Sequence, residues 1–255
     1  VQIHLVLIFS ANCDIFLENN AARKGEGIMS EAVSVKIIAH IYNDYKSKFG
    51  IPRQSGIVNS LESKIIFEPE FRNPDYLRGI SGYSHLWLIW NFSKSAKSIS
   101  APTVRPPKLG GNTRMGVFAT RSPFRPNPLG LSSVELIKTD NTADGPVLYV
   151  SGADLADGTP ILDIKPYLPY TDSHPNAESG FALKPEYTTN VVIPPELCAK
   201  LPQQLKNGLI EILKHDPRPG YQHDPHRVYK LQLGSYDIGF CIKDNTAEVL
   251  SVDEI

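Results

Sequence analysis

The residue types best suited to chemistry are concentrated between residues 105 and 130, where four arginines and one lysine lie among prolines and glycines. Proline fixes the backbone angle φ, and glycine allows a ligand to approach the backbone closely. The stretch therefore predicts a rigid loop that directs cationic side chains at an anionic ligand. The candidate contacts for RNA phosphates are Arg105, Lys108, Arg114 and Arg125.

The charge distribution around this loop is uneven. The formal net charge of the chain is only −1, but the 59 residues from Tyr76 to Val134 contain no acidic residue and eight basic ones. This segregation favours an anionic partner such as RNA. The alternative interpretation is a region of buried strands with scattered, solvated arginines.

A second chemically dense stretch runs from Asp157 to Tyr170. Asp157 and Gly158 predict a turn, and residues 161–165 predict a short strand. Because side chains alternate along a strand, Asp163 and Lys165 share one face of it. Without further information, this pair is equally well explained as a surface ion pair.

The surrounding elements favour a mainly β protein. A continuous apolar run at residues 85–92 and the β-rich segments at 35–41, 63–67, 132–139, 147–150 and 161–165 predict strands. Residues 56–58 are predicted to pair with 63–67 as a hairpin. Strands do not alternate with helices of 10–15 residues, which argues against a doubly wound sheet. We therefore predict a mainly β protein with a β-barrel-like domain followed by a small α+β domain, with a helix at 203–215 and three strands between 227 and 252.

The predicted domain boundaries are 31–175 for the barrel and 185–255 for the C-terminal domain, with a polar linker between them. Residues 1–28 are expected to be a translated leader outside the fold. Codons for Lys24, Gly25 and Glu26 can spell a ribosome-binding site just before Met29. A secretory signal is a weaker interpretation, because the basic n-region is missing.

Three cysteines, Cys13, Cys198 and Cys241, are too few and too scattered for a disulfide scaffold and fit the cytoplasm. No apolar run approaches the ~20 residues of a membrane helix. The histidines His215, His223 and His226 match no rigid ligand spacing, so no metal site is predicted.

Both stretches, together with residues 51–56 (IPRQSG), 84–87 (SHLW) and 216–221 (DPRPGY), resemble the TrmO-type tRNA (adenine-N6)-methyltransferases. The resemblance covers nearly the whole chain from about residue 35. It implies a non-Rossmann β-barrel enzyme, usually a homodimer, that uses S-adenosyl-L-methionine. The implied reaction is methylation of N6 of threonylcarbamoyladenosine at position 37 of tRNA, next to the anticodon.

The resemblance also implies which residues contact S-adenosyl-L-methionine. Where the family has His-Gln, this chain has Ser93 and Lys94, which is consistent with a contact through the backbone. The implied cofactor contacts are Pro52, Arg53, Gln54, Ser93, Lys94, Arg121, Leu131, Gly158, Thr159, Pro160 and Ile161.

Transfer of a methyl group to N6 releases a proton, and a carboxylate could accept it. Asp163 is the first candidate and Asp157 the second, although Asp163 could instead position Lys165 or Arg121. Two other functions stay open. The chain could be a methyltransferase with the same barrel and another substrate, or a non-catalytic module that binds S-adenosyl-L-methionine and serves in RNA binding or regulation.

Overall fold

The computed structural model describes residues 5–9, 14–19, 33–95, 101–143, 145–182, 188–220, 222 and 224–255. Cys13, Lys97, Tyr221, His223 and most of the predicted leader lie outside these residues. The strands in chain order are β1 (Leu5–Phe9), β2 (Asp14–Asn19), β3 (Val35–Lys36), β4 (Ala39–Tyr42), β5 (Glu62–Phe67), β6 (His85–Asn91), β7 (Thr103–Val104), β8 (Met115–Gly116), β9 (Leu129–Thr142), β10 (Gly145–Ser151), β11 (Thr159–Pro166), β12 (Asn190–Val192), β13 (Tyr229–Leu233), β14 (Tyr236–Lys243) and β15 (Thr246–Glu254).

Helices are few in the described residues. The α-helices are α1 (Pro169–Asp172), α2 (Pro195–Cys198) and α3 (Gln203–Lys214). Single 3₁₀ turns occur at Pro69–Phe71, Pro74–Leu77, Ile80–Gly82, Ser93–Ser95, Pro107–Leu109 and Val117–Ala119. No helix in this part of the chain is both long and apolar enough to cross a bilayer.

Six antiparallel strands close into a barrel in the order β10-β5-β4-β11-β6-β9, which confirms the predicted β-barrel. The apolar run of β6 explains the inward face: Leu86, Leu88 and Trp90 alternate along the strand and pack inside the barrel. Ile41 and Ile161, from the neighbouring strands β4 and β11, are fully buried against them.

A second core belongs to the C-terminal unit. Strands β13, β14 and β15 form the predicted antiparallel sheet, and β12 adds to its edge in parallel with β15. The buried face of α3, with Leu209 and Leu213, packs on this sheet. Tyr45, Val58 and Leu61, from the segment between β4 and β5, enter the same core. The two units are therefore joined by a shared hydrophobic cluster.

Two local predictions differ from the structure. Residues 56–58 are not a strand, because Gly56 adopts φ +73° and Val58 turns into the second core. The predicted strand 35–41 is split into β3 and β4. β1 and β2 form a hairpin that pairs with β3; the leader assignment for residues 1–28 stays a prediction.

Candidate active site

An open cleft of about 810 Å³ lies at one end of the barrel, where β6 ends and β9 and β11 begin. This volume is in the range of sites for small molecules, roughly 300–1,000 Å³. The walls come from five segments: residues 48–55, the end of β6 with the following 3₁₀ turn, residues 118–127, the start of β9, and residues 154–159.

The floor of the cleft depends on close packing between β6 and β9. Trp90 and Gly130 are register partners, and the indole of Trp90 lies directly over Gly130. A Cβ atom at Gly130 would lie 2.1 Å from the Trp90 ring, so only glycine admits the ring in this position. Phe92 lies beside it, with the ring centroids 4.2 Å apart.

A buried hydrogen-bond chain leads from this floor to a carboxylate. Trp90 Nε1 donates to Ser132 Oγ at 3.0 Å, and Ser132 Oγ donates to Asp154 Oδ1 at 2.5 Å. Burial raises the pKa of the Asp154 carboxyl above its ordinary value, while hydrogen bonds from Ser132 and from backbone N–H groups, including that of Ser55, and the charge of Arg121 oppose this shift.

The rim of the cleft is fixed by arginines. Arg121 Nη1 donates to Gln54 Oε1, which connects two opposite walls. Arg53 Nη2 donates to the backbone carbonyls of Asp216 (3.3 Å) and Arg218. The guanidinium of Arg218 in turn binds both carboxylate oxygens of Asp216, with Nε–Oδ1 at 2.9 Å and Nη2–Oδ2 at 2.8 Å. The segment 216–220 of the C-terminal unit thus holds the loop that carries Arg53.

The same segment also contacts the loop of residues 103–130, which we call the basic loop. A Cβ atom at Gly220 would lie 3.0 Å from the carbonyl oxygen of Pro107, so the two backbones are in close contact. Within the basic loop, β7 pairs with β8, and Arg114 Nη1 donates to Thr103 Oγ1 at 2.9 Å. These contacts give the loop the defined structure that its prolines predict.

Family comparisons agree with this architecture. Residues 40–173 match the tRNA-methyltransferase O N-terminal domain, and residues 186–255 match the TrmO C-terminal domain. The chain belongs to the TrmO family. Its fold is also that of a solved family member: the crystal structure of TrmO from P. aeruginosa, 30% identical, superposes with a TM-score of 0.73 and covers 90% of this chain and 100% of that chain.

Two relatives of the TrmO chain carry the name tRNA (adenine(37)-N6)-methyltransferase. The protein from Escherichia coli K12 is 38% identical over 225 residues, which is 85% of this chain and 96% of that protein. The protein from Eikenella corrodens is 46% identical over 171 residues, which is 67% of this chain and 97% of that protein.

Most residues expected to contact the cofactor lie on the cleft walls of this TrmO chain: Pro52, Arg53, Gln54, Ser93, Lys94, Arg121, Leu131 and Thr159. Gly158, Pro160 and Ile161 do not line it. Gly158 forms the preceding turn at φ +75°, and the Ile161 side chain is fully buried inside the barrel.

The two carboxylates expected to act as the base lie elsewhere. Asp163 follows a bulge in β11 and pairs with Lys165 at 2.8 Å on the outside of the barrel, as the sequence alternative proposed. Asp157 pairs with Lys46 at 2.8 Å and accepts a hydrogen bond from the backbone N–H of Asn43. Neither side chain lines the cleft.

Among the expected RNA contacts, Arg125 lines the cleft and donates to the carbonyl of Thr120 at 3.2 Å. Arg105, Lys108 and Arg114 lie further along the loop. In the described part of the chain, no group of three or more His, Cys, Asp or Glu side chains is arranged to hold a metal ion.

Among the cleft residues that sequence reasoning missed, Asp154 and Asn91 carry the polar groups of most interest. Asn91 ends β6 and is 1% exposed, and its Oδ1 atom has no hydrogen-bond partner among the described residues. A buried acceptor without a partner costs about 1–3 kcal/mol, so this atom fits a donor group of a bound ligand. The only signal in the sequence was a polar residue at the end of an apolar run.

Proposed function

We propose that this protein transfers a methyl group from S-adenosyl-L-methionine to N6 of threonylcarbamoyladenosine at position 37 of tRNA. Membership of the TrmO family and the relatives named tRNA (adenine(37)-N6)-methyltransferase support the enzyme class, the methyl donor and the nucleotide. The threonylcarbamoyl group on the acceptor rests on the motif resemblance and on the charge of the cleft.

The charge of the cleft is the observation that supports this substrate best. Its described lining contains five basic side chains, Lys48, Arg53, Lys94, Arg121 and Arg125, and one acidic side chain. The methyl donor and the threonylcarbamoyl group each carry a carboxylate. The sulfonium and ammonium of the donor offset the charge of its own carboxylate, so the cationic excess is available to the threonylcarbamoyl carboxylate.

The methyl donor fits the residues that are present. Asn91 Oδ1 would accept a hydrogen bond from an N–H group of the donor, and Arg121 would pair with its carboxylate. Trp90 and Gly130 shape the apolar floor. The bound donor supplies a methyl group on a sulfonium, while the protein contributes mainly orientation of the two reactants, which is worth roughly 7–11 kcal/mol of the barrier.

The basic loop provides the contact to tRNA. Arg125 joins the cleft to the loop, and Arg105, Lys108 and Arg114 extend the cationic surface outward. Cationic side chains on such a loop bind phosphates without sequence preference, and the cleft then selects the nucleotide.

The experiment that tests the function is transfer of labelled methyl groups to bulk tRNA with and without the threonylcarbamoyl modification. We expect incorporation at position 37 only in the modified tRNA. Transfer to unmodified tRNA at the same rate would refute the acceptor. Binding of S-adenosyl-L-methionine without transfer to either tRNA would favour the non-catalytic module.

We further propose that the protein acts as a cytoplasmic homodimer. Exposed apolar side chains surround the mouth of the cleft, where Phe118 is 78% exposed and Leu131 is 58% exposed. Apolar groups gathered in this way are typical of a contact surface. Light scattering during size-exclusion chromatography should give twice the monomer mass, and a monomer mass at micromolar concentration would contradict the dimer.

A further inference from the structure

We propose that Asp154 accepts the proton that N6 loses during methyl transfer. This inference rests on the proposed function and names the group in the cleft that completes the reaction. In the described lining of the cleft, Asp154 is the one acidic side chain. The carboxylates of Asp157 and Asp163 are held by lysines away from the cleft wall.

The hydrogen-bond chain fixes the direction of the Asp154 carboxylate. Because Trp90 Nε1 donates to Ser132 Oγ, the single hydroxyl proton of Ser132 is directed to Asp154 Oδ1. Asp154 is therefore oriented by Ser132 and Trp90, at the start of β9 and the end of β6, before any substrate is present, as a proton acceptor must be.

The electrostatic surroundings also suit a proton acceptor. Burial raises the pKa of the Asp154 carboxyl, which strengthens it as a base, and Arg121 opposes the shift and helps to keep it ionised. Tyr45 faces Asp154 from the segment after β4, and burial raises the pKa of its hydroxyl well above the ordinary value, so it stays neutral.

In the proposed step, N6 gains a methyl group and loses a proton. The nitrogen electron pair of N6 forms the bond to the methyl carbon, and the carbon–sulfur bond breaks with its pair on sulfur. The N6–H bond then breaks with its pair on nitrogen, and the proton passes to Asp154. S-adenosyl-L-methionine is consumed in this step and is therefore a substrate, and the step requires no further reactant.

The test compares Asp154→Asn with the wild-type protein. We expect kcat to fall by about 10²–10⁴-fold, with the Kd for S-adenosyl-L-methionine within about threefold of wild type by calorimetry. The wild-type kcat should rise with pH on the acid limb of the profile, and this limb should vanish in the variant.

The raised pKa of Asp154 can also be tested by a stability measurement that does not depend on enzymatic activity. Between the unfolded value of about 4 and the higher folded value, the native state binds the extra proton, so this carboxyl lowers stability as pH rises. The free energy of unfolding of Asp154→Asn, relative to wild type, should therefore increase as pH rises through this window. If this difference in the free energy of unfolding does not change with pH, Asp154 is not a buried carboxyl with a raised pKa.

The matched control is Glu211→Gln. Glu211 Oε1 accepts from Ser60 Oγ at 2.8 Å and its Oε2 accepts from the backbone N–H of Asn59 at 2.8 Å, outside the cleft. This variant should lose stability and keep kcat.

The inference would be overturned by near-normal turnover of a folded Asp154→Asn. Loss of turnover by Asp163→Asn in the same assay would then assign the proton acceptor to Asp163. Absence of transfer by the wild-type protein would instead refute the proposed function, and the pH dependence of unfolding would still report on Asp154.

Discussion

The contact between Gly130 and Trp90 gives a quantitative prediction for Gly130→Ala. The new Cβ would lie 2.1 Å from Cε2 and 2.4 Å from Cζ2 of the indole, so the ring must move. Overpacking of this kind costs about 1–3 kcal/mol. Displacing Trp90 also breaks its hydrogen bond to Ser132, at about 0.5–1.5 kcal/mol. We expect a total loss of about 2–4 kcal/mol.

The assay is equilibrium unfolding in urea, together with a thermal scan. For a chain of this length the loss corresponds to a decrease in Tm of roughly 5–15 °C, and the affinity for S-adenosyl-L-methionine should fall because the floor of the cleft is displaced. Gly116→Ala is the control, since its φ is −57° and nothing lies within 4 Å of the added Cβ. If the free energy of unfolding of Gly130→Ala lies within about 0.5 kcal/mol of the wild-type value, this packing argument is refuted.

Three further predictions concern single side chains. Tyr45→Phe should raise the free energy of unfolding by about 1 kcal/mol in urea titrations, because the buried Tyr45 hydroxyl has no hydrogen-bond partner among the described residues; destabilisation would contradict this. Arg125→Gln should reduce the slope of log affinity for tRNA against log salt by about 1 in filter binding, and an unchanged slope would remove Arg125 from the phosphate contacts. Asp216→Asn, which weakens the pair with Arg218 and so the support of Arg53, should weaken binding of S-adenosyl-L-methionine several-fold in calorimetry; unchanged affinity would show that the 216–220 segment does not support the cleft.

The barrel and the C-terminal sheet could be predicted because their signals are local. The apolar run of β6 predicts a buried strand, and the helical spacing of the apolar residues in α3 predicts a helix. The strand prediction for residues 56–58 was wrong because its signal is not local: Val58 is apolar because it packs against strands far along the chain. The parallel pairing of β12 with β15 has the same long-range origin.

The cationic residues of the site could be predicted from the sequence, because a long segment without acidic residues is apparent from composition alone. Asp154 was not visible. Its neighbours Ala153 and Leu155 are buried in the barrel core, so the local sequence resembles an ordinary core segment. Only the closure of the barrel brings its carboxylate to Ser132 and Arg121.

The shared hydrophobic cluster has a consequence for the order in which the protein folds. Tyr45, Val58 and Leu61 pack against strands β13, β14 and β15, which follow the barrel strands along the chain. Chains emerge from the ribosome N-terminus first, so the barrel strands are complete well before these partners exist. The loop that carries Arg53 gains its support from segment 216–220 and from the second core only after the barrel strands have been synthesised, so the binding cleft is completed after the barrel.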